Sequence, residues 1–524
     1  MCYNLLHPNS WLRFTLVFAF TILLRLIFLV GCVPIITCLL IWRWIISRAA
    51  KLFRGQQLGK MVTAQGNTIE CGHLYTRDAV TNVVAMKVES STIDVQVLRN
   101  KVEQKWLSAK LPGSNDPLYP ELKSGVRQWM GYLFWEPCQH FDIKDRIKYI
   151  TNADVTSNWD DVCTEAGFKN LVMHLLRDRL WVEGKPLWEI IVVDESCFKN
   201  AVNFDNASWI FFRDHHILSD GWSIFKLLSK LFDDEDDILE KVPRAIFERE
   251  NGTLWTRFIA QVQFVLKVPF ELVDLIIDIL ANRDTLPTFS VVGSSDIKLE
   301  MRNGPSLQFL KQLKNDLGVD LISLLLAGMT ASIRQCYEKA GKPPPENIRL
   351  LFALPTPGHP EKLRNYVTSC CIFLPIGESD SLKRIKLIAS RIQRFKRSGL
   401  PLAFFLASRV YGLMPAPLLR RFITRIPLLF SNVVGHPGTM RYEGKPVPCI
   451  RVSINPPADG NDRFECGMVF FSHSGTTNLQ VVGLHKYFYD NQHPEEYLDR
   501  CIQEWEELEI INAKLNKSIA SEIV

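Results

Sequence analysis

The first sixty residues contain no aspartate and no glutamate, although the whole chain carries 56 acidic residues. Seven basic residues fall in that same segment: Arg13, Arg25, Arg43, Arg48, Lys51, Arg54 and Lys60. The remainder holds 54 basic against 56 acidic residues, a net charge of −2, where the full chain has +5. The basic excess is therefore confined to the N-terminus, and the body lacks the basic surface that nucleic acid selects. The thirteen cysteines include no CxxC pair and no zinc-type spacing, so no metal site is expected. Their number is odd, and Cys370 and Cys371 are adjacent. The pattern fits reduced, mostly buried thiols facing the cytosol rather than a disulfide framework. There is no Gly-x-Ser-x-Gly elbow that would support an acyl-enzyme. Short repeats and low-complexity tracts are also missing.

What is present is a long chain of globular composition. At 524 residues, 47% hydrophobic and 22% charged, it is too large for one ordinary core, and two domains are expected. Thr15 to Trp42 is apolar apart from three threonines and Arg25. As a helix it would reach roughly 42 Å, more than a ~30 Å hydrocarbon core. Its cleanest part is Leu26 to Trp42, with Trp42 and Trp44 suited to the interface. The run is too long for a cleaved signal, has no small-x-small cleavage site, and precedes its basic cluster instead of following it. The cluster Arg43 to Lys60 predicts a single membrane span with the following chain in the cytosol. Pro34 and Arg25 leave a kinked or re-entrant segment as the alternative. Two later stretches, Leu254 to Leu280 and Leu400 to Phe430, are greasy but charged at intervals. Each reads either as a buried helix or as an in-plane helix on the bilayer with arginines toward the headgroups.

From about residue 61 the pattern is mixed α and β. Ala207 to Arg213 is rich in aromatics and reads as a strand, and Gly221 to Phe232 as a helix with Ile224, Leu227, Leu228 and Leu231 on one face. The acidic run Asp233 to Asp237 reads as a solvated loop. Arg283 to Lys298 is the best domain boundary, dividing an anchor (1–60) and two α/β domains (61–290 and 291–524). In the second domain, Leu307 to Gln335 reads as two helices, while "IRLLFALPT" and "CCIFLPI" read as strands.

Between that strand and helix lies "DHHILSDGWS", His215-His216 followed by Asp220-Gly221. A histidine at a strand end can project into a cleft. With an ordinary pKa near 6.5 it is mostly neutral at pH 7 and can take a proton from an alcohol, amine or thiol. Asp220 can turn back to fix the loop, and Gly221 permits a tight backbone. Taken alone, a histidine pair is equally compatible with a structural role.

The motif HHxxxDG after a strand resembles the superfamily of chloramphenicol acetyltransferase-like enzymes and peptide-synthetase condensation domains. Within it the chain resembles the wax ester synthase/diacylglycerol acyltransferase family. Supporting segments run in family order: Phe141-Asp142; Pro186-Leu187-Trp188; Asn365 with Leu374-Pro375; Ser431-Asn432-Val433 with Gly435; and Ser472 with Gly475. Departures include Ile322-Ser323 where the family often has Asn-Asp, Val434 and His436 in place of prolines, and His473 in place of an aromatic.

The resemblance implies an α/β fold of two chloramphenicol acetyltransferase-like domains meeting at a cleft. It implies that His216 is the general base and that His215 supports the loop. Asp220 would orient the loop by pairing with a basic residue that the sequence does not identify, or act as a plain turn residue. Ser223 and Asn432 are candidates for stabilising an oxyanion. The implied activity is direct transfer of a fatty acyl group to a lipid hydroxyl, either a long-chain alcohol or diacylglycerol. Acyl-CoA is the co-substrate, and there is no other cofactor, no metal and no nucleic-acid partner. Membrane lipid is a partner. The endoplasmic reticulum is the expected location, with plasma membrane or lipid droplet as alternatives. The contrasting expectation is a catalytically weak, membrane-tethered lipid- or acyl-CoA-binding protein that retains the fold.

Overall fold

The apolar N-terminus folds as two helices, α1 (Trp11–Ile27) and α2 (Val33–Arg54). α2 is long and apolar enough to cross a membrane. Its second half lies against the body, where Ile46 and Ala50 are buried with Leu58, Tyr132 and Phe134. The computed structural model describes residues 11–27, 30–31, 33–69, 74–151, 164–197, 207–241, six positions between 262 and 275, 285–289, 297–356, 358–422, 426–455, 464–488 and 493–523. The stretch Leu254 to Leu280 and the boundary Arg283 to Lys298 fall largely outside these residues.

A short helix, α3 (Ala64–Ile69), leads into the first sheet. Its strands are β1 (Thr81–Val88), β4 (Ile147–Tyr149), β5 (Trp188–Val193), β6 (Ser208–His215) and β13 (Cys449–Ile454), in the order β13-β1-β6-β5-β4. β2 (Ser124–Trp129) and β3 (Tyr132–Pro137) form a separate hairpin. Its tip, Met130-Gly131, has φ of 49° and 80°, the left-handed pair that a two-residue hairpin turn requires. β1 and β5 are buried on both faces. Val84 and Met86 face one core while Val83 and Ala85 face another, which is why these strands read as continuous apolar runs. The helices on this sheet are α4 (Val95–Val102), α5 (Glu165–Met173), α6 (Gly221–Ser229) and α7 (Glu235–Lys241). Of the run Asp233 to Asp237, expected as a loop, Asp233 and Asp234 form a turn, whereas Glu235 to Asp237 open α7. Acidic groups in a first turn are stabilised by the positive end of the helix dipole, and Glu235 also pairs with Lys230 at 2.8 Å.

The second sheet has the order β7-β15-β14-β10-β8-β9. These strands are β7 (Ile297–Asn303), β8 (Ile348–Pro355), β9 (Val367–Leu374), β10 (Ile426–Val434), β14 (Phe464–His473) and β15 (Thr476–Leu484). β11 (Met440–Tyr442) and β12 (Lys445–Val447) make a small ribbon. α8 (Leu307–Asp316) and α9 (Leu321–Lys339) are the two helices expected there. The long helix α13 (His493–Ile523) crosses α9 where Gly328 leaves room: a Cβ there would stand 2.5 Å from Cys501 Sγ. α10 (Ser381–Lys396) is tied to α13 by a buried Arg384–Glu504 ion pair at 2.5 Å. Leu400 to Phe430 is not one helix. It divides into α11 (Leu400–Tyr411), α12 (Ala416–Phe422) and the start of β10.

One strand crosses between the halves. β13 lies late in the sequence yet pairs antiparallel with β1, Asn82 opposite Ile454 and Met86 opposite Ile450. The second half therefore supplies one edge of the first sheet, and the space between the two sheets has walls from both.

Candidate active site

β6 carries the motif to this inter-sheet space. Arg213, two residues before His215, is fully buried and bonds Glu189 at 2.7 Å, while Arg179 grips the same carboxylate at 2.7 and 2.9 Å. Burial acts to raise the Glu189 carboxyl, but the two guanidiniums outweigh it and hold it down at about 2. This network fixes the end of the strand. His215 points into the interior, with its Nδ1 accepting the Ile217 amide at 3.0 Å. That bond closes the turn from within, and His215 is not among the residues lining the cavity.

His216 faces the cavity. Its Nδ1 lies 3.1 Å from Asn365 Oδ1. The Asn365 amide orientation is set independently, because Nδ2 donates to the carbonyls of His216 and Ile217 at 2.9 and 3.3 Å. Oδ1 must therefore accept, and His216 Nδ1 must carry the proton. Nε2 is left as the unprotonated nitrogen. Burial lowers the His216 pKa below its ordinary value, more than the surrounding hydrogen bonds and Asp220 restore it. A neutral imidazole with a fixed tautomer is the form a general base needs.

Asp220 caps α6 by accepting the Ser223 amide at 2.9 Å. It also accepts the Tyr366 amide at 2.7 Å and lies 2.9 Å from His359 Nε2. Burial pushes this carboxyl up, yet the His359 contact and the two amides bring it below the usual carboxylate range. The basic partner of Asp220 is thus His359, 139 residues along the chain. Gly221 has an ordinary backbone, and a Cβ there would meet nothing within 4 Å. Its small size is not needed for a tight turn; it leaves open a piece of the cavity wall.

The cavity is a cleft with about 870 Å³ of space between its walls, a figure that includes open solvent. Its walls are mostly apolar and come from β1, α6, β10 and β13, with Val84, Ile224, Val433 and Val452 as examples. Besides the loop, Asn82, Ser229 and Ser431 supply its polar side chains. The two proposed oxyanion residues lie elsewhere. Ser223 Oγ donates to the Arg364 carbonyl at 3.1 Å and does not line the cavity. Along β10, side chains alternate: Ser431 and Val433 face the cavity, while Asn432 shares the opposite face with Phe430 of the second core. Ile322-Ser323 opens α9, with Ser323 buried, and neither residue reaches the cavity. Asn365 was legible only as a family match without a role, and nothing local marked His359. Among the described residues no cluster of His, Cys, Asp and Glu is arranged to hold a metal ion.

Residues 363–509 match the family model described as WS/DGAT C-terminal domain. No curated protein matches the chain in sequence. Among solved structures, the chain is similar to the wax ester synthase/diacylglycerol acyltransferase from Marinobacter aquaeolei VT8. The TM-score is 0.50 at 15% identity, covering 86% of this chain and 100% of that one. The trichothecene 15-O-acetyltransferase from Fusarium sporotrichioides gives 0.55 at 12% identity, covering 86% and 95%. The starter condensation domain of rhizomide synthetase, in complex with C8-CoA, gives 0.54 at 12%, covering 89% and 97%. At these identities the likeness is one of fold: the chain has the acyltransferase and condensation-domain architecture.

Proposed function

We propose, from the match of residues 363–509 to the WS/DGAT C-terminal domain, that this chain transfers a fatty acyl group from acyl-CoA to a lipid hydroxyl. The observation that carries this reading is the lock on His216: Asn365 holds its Nδ1 proton and leaves Nε2 free beside an apolar cavity. The acceptor hydroxyl gives its proton to Nε2 as its oxygen attacks the thioester carbonyl. The tetrahedral oxyanion then collapses, the C–S bond breaks, and the leaving thiolate recovers the proton from the imidazolium. General-base help of this kind contributes roughly 10²–10⁴-fold. His215 and Asp220 hold the loop. The solved relative bound to C8-CoA supports acyl-CoA as donor. The apolar walls and the helix α2 support a bilayer-borne acceptor, a long-chain alcohol or diacylglycerol, met on the cytosolic face of the endoplasmic reticulum.

The test uses microsomes containing the full chain, supplied with radiolabelled palmitoyl-CoA and either hexadecanol or diacylglycerol. Label entering wax ester or triacylglycerol, and lost in His216→Ala, is expected. If neither lipid is labelled, or if the variant is equally active, the chain is a lipid-binding relative and His216 is not a base.

A further inference from the structure

Helix α2 does not leave the body freely. Arg43 reaches from its middle to two backbone carbonyls, that of Val62 and, at 3.4 Å, that of Gly412. Its guanidinium also lies 5.4 Å over the Tyr132 ring. The apolar part of the helix ends at Trp42, so this contact fixes which part of the body meets the membrane where the helix emerges. That part is built from three elements in direct contact. The Gly131 carbonyl accepts the Ala416 amide at 2.8 Å. Tyr132 Oη donates to the Leu413 carbonyl at 3.0 Å, and Asn67 Nδ2 donates to the carbonyls of Gly412 and Met414. The hairpin tip, the end of α11 and the start of α12 therefore share one face with α2.

This face is apolar where it is exposed. Met130 is 57% exposed at the hairpin tip, in a left-handed position where asparagine or glycine is usual. Leu402 and Leu406 are exposed on one side of α11, Leu418 on α12, and Leu52 and Phe53 at the end of α2. Its two main segments are basic, with Glu271 beside the start of α11 accepting the Gly399 amide at 2.7 Å. Residues 1–69 and residues 381–442 each contain no aspartate or glutamate, and the fold brings these two acid-free segments together. The inner side of α11 reaches the active site. Phe405 packs edge-on against Tyr366 at 5.1 Å, and the Tyr366 amide holds Asp220. Gln65 joins Ser408 of α11 to the carbonyl of Val367, a residue that lines the cavity.

We propose that this face is a second membrane contact: α11 and the Met130 tip lie in the plane of the same bilayer that α2 enters, on its anionic cytosolic surface. Apolar side chains enter the headgroup boundary, and the exposed Arg48, Lys51 and Arg54 of α2 and Arg421 of α12 meet anionic lipid. A lipid acceptor would then pass from the bilayer along α11 to the wall of the cavity. The inference rests on membrane anchorage by α2 and not on acyl transfer.

Its test reads lipid contact directly. The full chain is reconstituted in nanodiscs of phosphatidylcholine with phosphatidylserine, carrying a p-benzoylphenylalanine photo-crosslinker at one position. Trp42 reports the helix, Leu406 and Met130 report the proposed face, and Ile510 is the control. Ile510 is as exposed as Leu406, but it lies on α13, which packs at the β7 edge of the second sheet, whereas α11 packs at the β9 edge. Lipid adducts at Trp42, Leu406 and Met130, at least several-fold above Ile510, are expected. Adducts at Trp42 without excess at Leu406 and Met130 overturn the second contact and leave the anchor standing. Protein–protein adducts at Leu406 overturn it in favour of a face between copies. No lipid adduct at any position overturns anchorage and second contact together.

Discussion

His359 Nε2 stands 2.9 Å from Asp220 Oδ2, both side chains buried, and this contact joins the HHxxxDG loop to a segment of the second half of the chain. Three residues on either side of it do related work. Ser223 Oγ donates to the Arg364 carbonyl, the Tyr366 amide donates to Asp220, and Asn365 holds His216. The stretch 359–366 is therefore the support on which His216 is mounted. The role a turn residue could fill alone is filled by a hydrogen-bond cluster between segments about 140 residues apart in the chain.

Replacing His359 with alanine should leave a buried carboxylate short of one donor, at a cost of about 1–3 kcal/mol. His359→Gln keeps a donor at a similar reach and should recover part of the loss. Thermal melts of the purified protein in detergent give the stability order wild type, Gln variant, Ala variant. kcat should fall in the same order with KM for acyl-CoA less changed, because the shift centres on the loop that carries His216 while most of the cavity wall comes from β1, α6, β10 and β13. Equal melts for all three would mean that Asp220 is satisfied by its two amides alone.

The lock between Asn365 and His216 makes a statement about pH. Burial lowers the His216 pKa, so the imidazole stays neutral below its ordinary value of about 6.5. The acid limb of kcat/KM should accordingly fall below pH 6.5. In Asn365→Asp, a carboxylate at the same place favours the imidazolium, and the limb should move upward. In Asn365→Ala the tautomer is no longer set, and kcat should drop by about 10-fold or more, within the range that a general base supplies. A limb that stays in place in the Asp variant would separate the titrating group from His216.

Much of this arrangement was readable from local pattern. The strand, loop and helix around His216 follow from an aromatic run, a histidine pair and a 3.6-residue apolar repeat, and Leu307 to Gln335 was legible as two helices. What was not readable depends on distant partners. Nothing in Cys449 to Ile454 says that it pairs with β1, since an alternating strand does not encode its neighbour. His359 is an isolated histidine until the fold sets it beside Asp220. Asn432 was a candidate because it matches the family's Asn-Val segment. The period of two decides against it, since the cavity face belongs to Ser431 and Val433. The acidic run misled in the other direction, because charge at a helix start stabilises the helix it was taken to exclude.

Asp214 supplies a test of stability against pH. It is fully buried at the end of β6, and burial raises its carboxyl from 3.8 to about 8, against a smaller opposing effect from the Asn82 side chain that lies 3.2 Å away. Between those two values the folded protein keeps a proton that the unfolded chain releases. Stability from this group is therefore complete below about pH 4 and declines as pH rises toward 8. Asp214→Asn mimics the protonated form and should remove the decline. The variant should melt at about the same temperature as wild type below about pH 4 and increasingly above it as pH rises from 4 to 8, the gap levelling off beyond that. Parallel melting curves across that range would show that Asp214 is ionised in the native protein.

Gly221 separates the needs of the fold from those of the site. It begins α6 with an ordinary backbone, and space lies where a side chain would be. Gly221→Ala should therefore be neutral or stabilising by up to ~1 kcal/mol, the usual gain of alanine over glycine in a helix. Gly221→Leu should fold as well, but its side chain would occupy part of the cavity wall beside His216. A pocket that loses room for a methylene or two discriminates by about 1–3 kcal/mol. The Leu variant should accordingly lose 10-fold or more in kcat/KM with palmitoyl-CoA and lose less with octanoyl-CoA. Equal losses on both donors would place Gly221 away from the path of the acyl chain, and a lowered melting temperature in the Ala variant would mean that the backbone needs glycine after all.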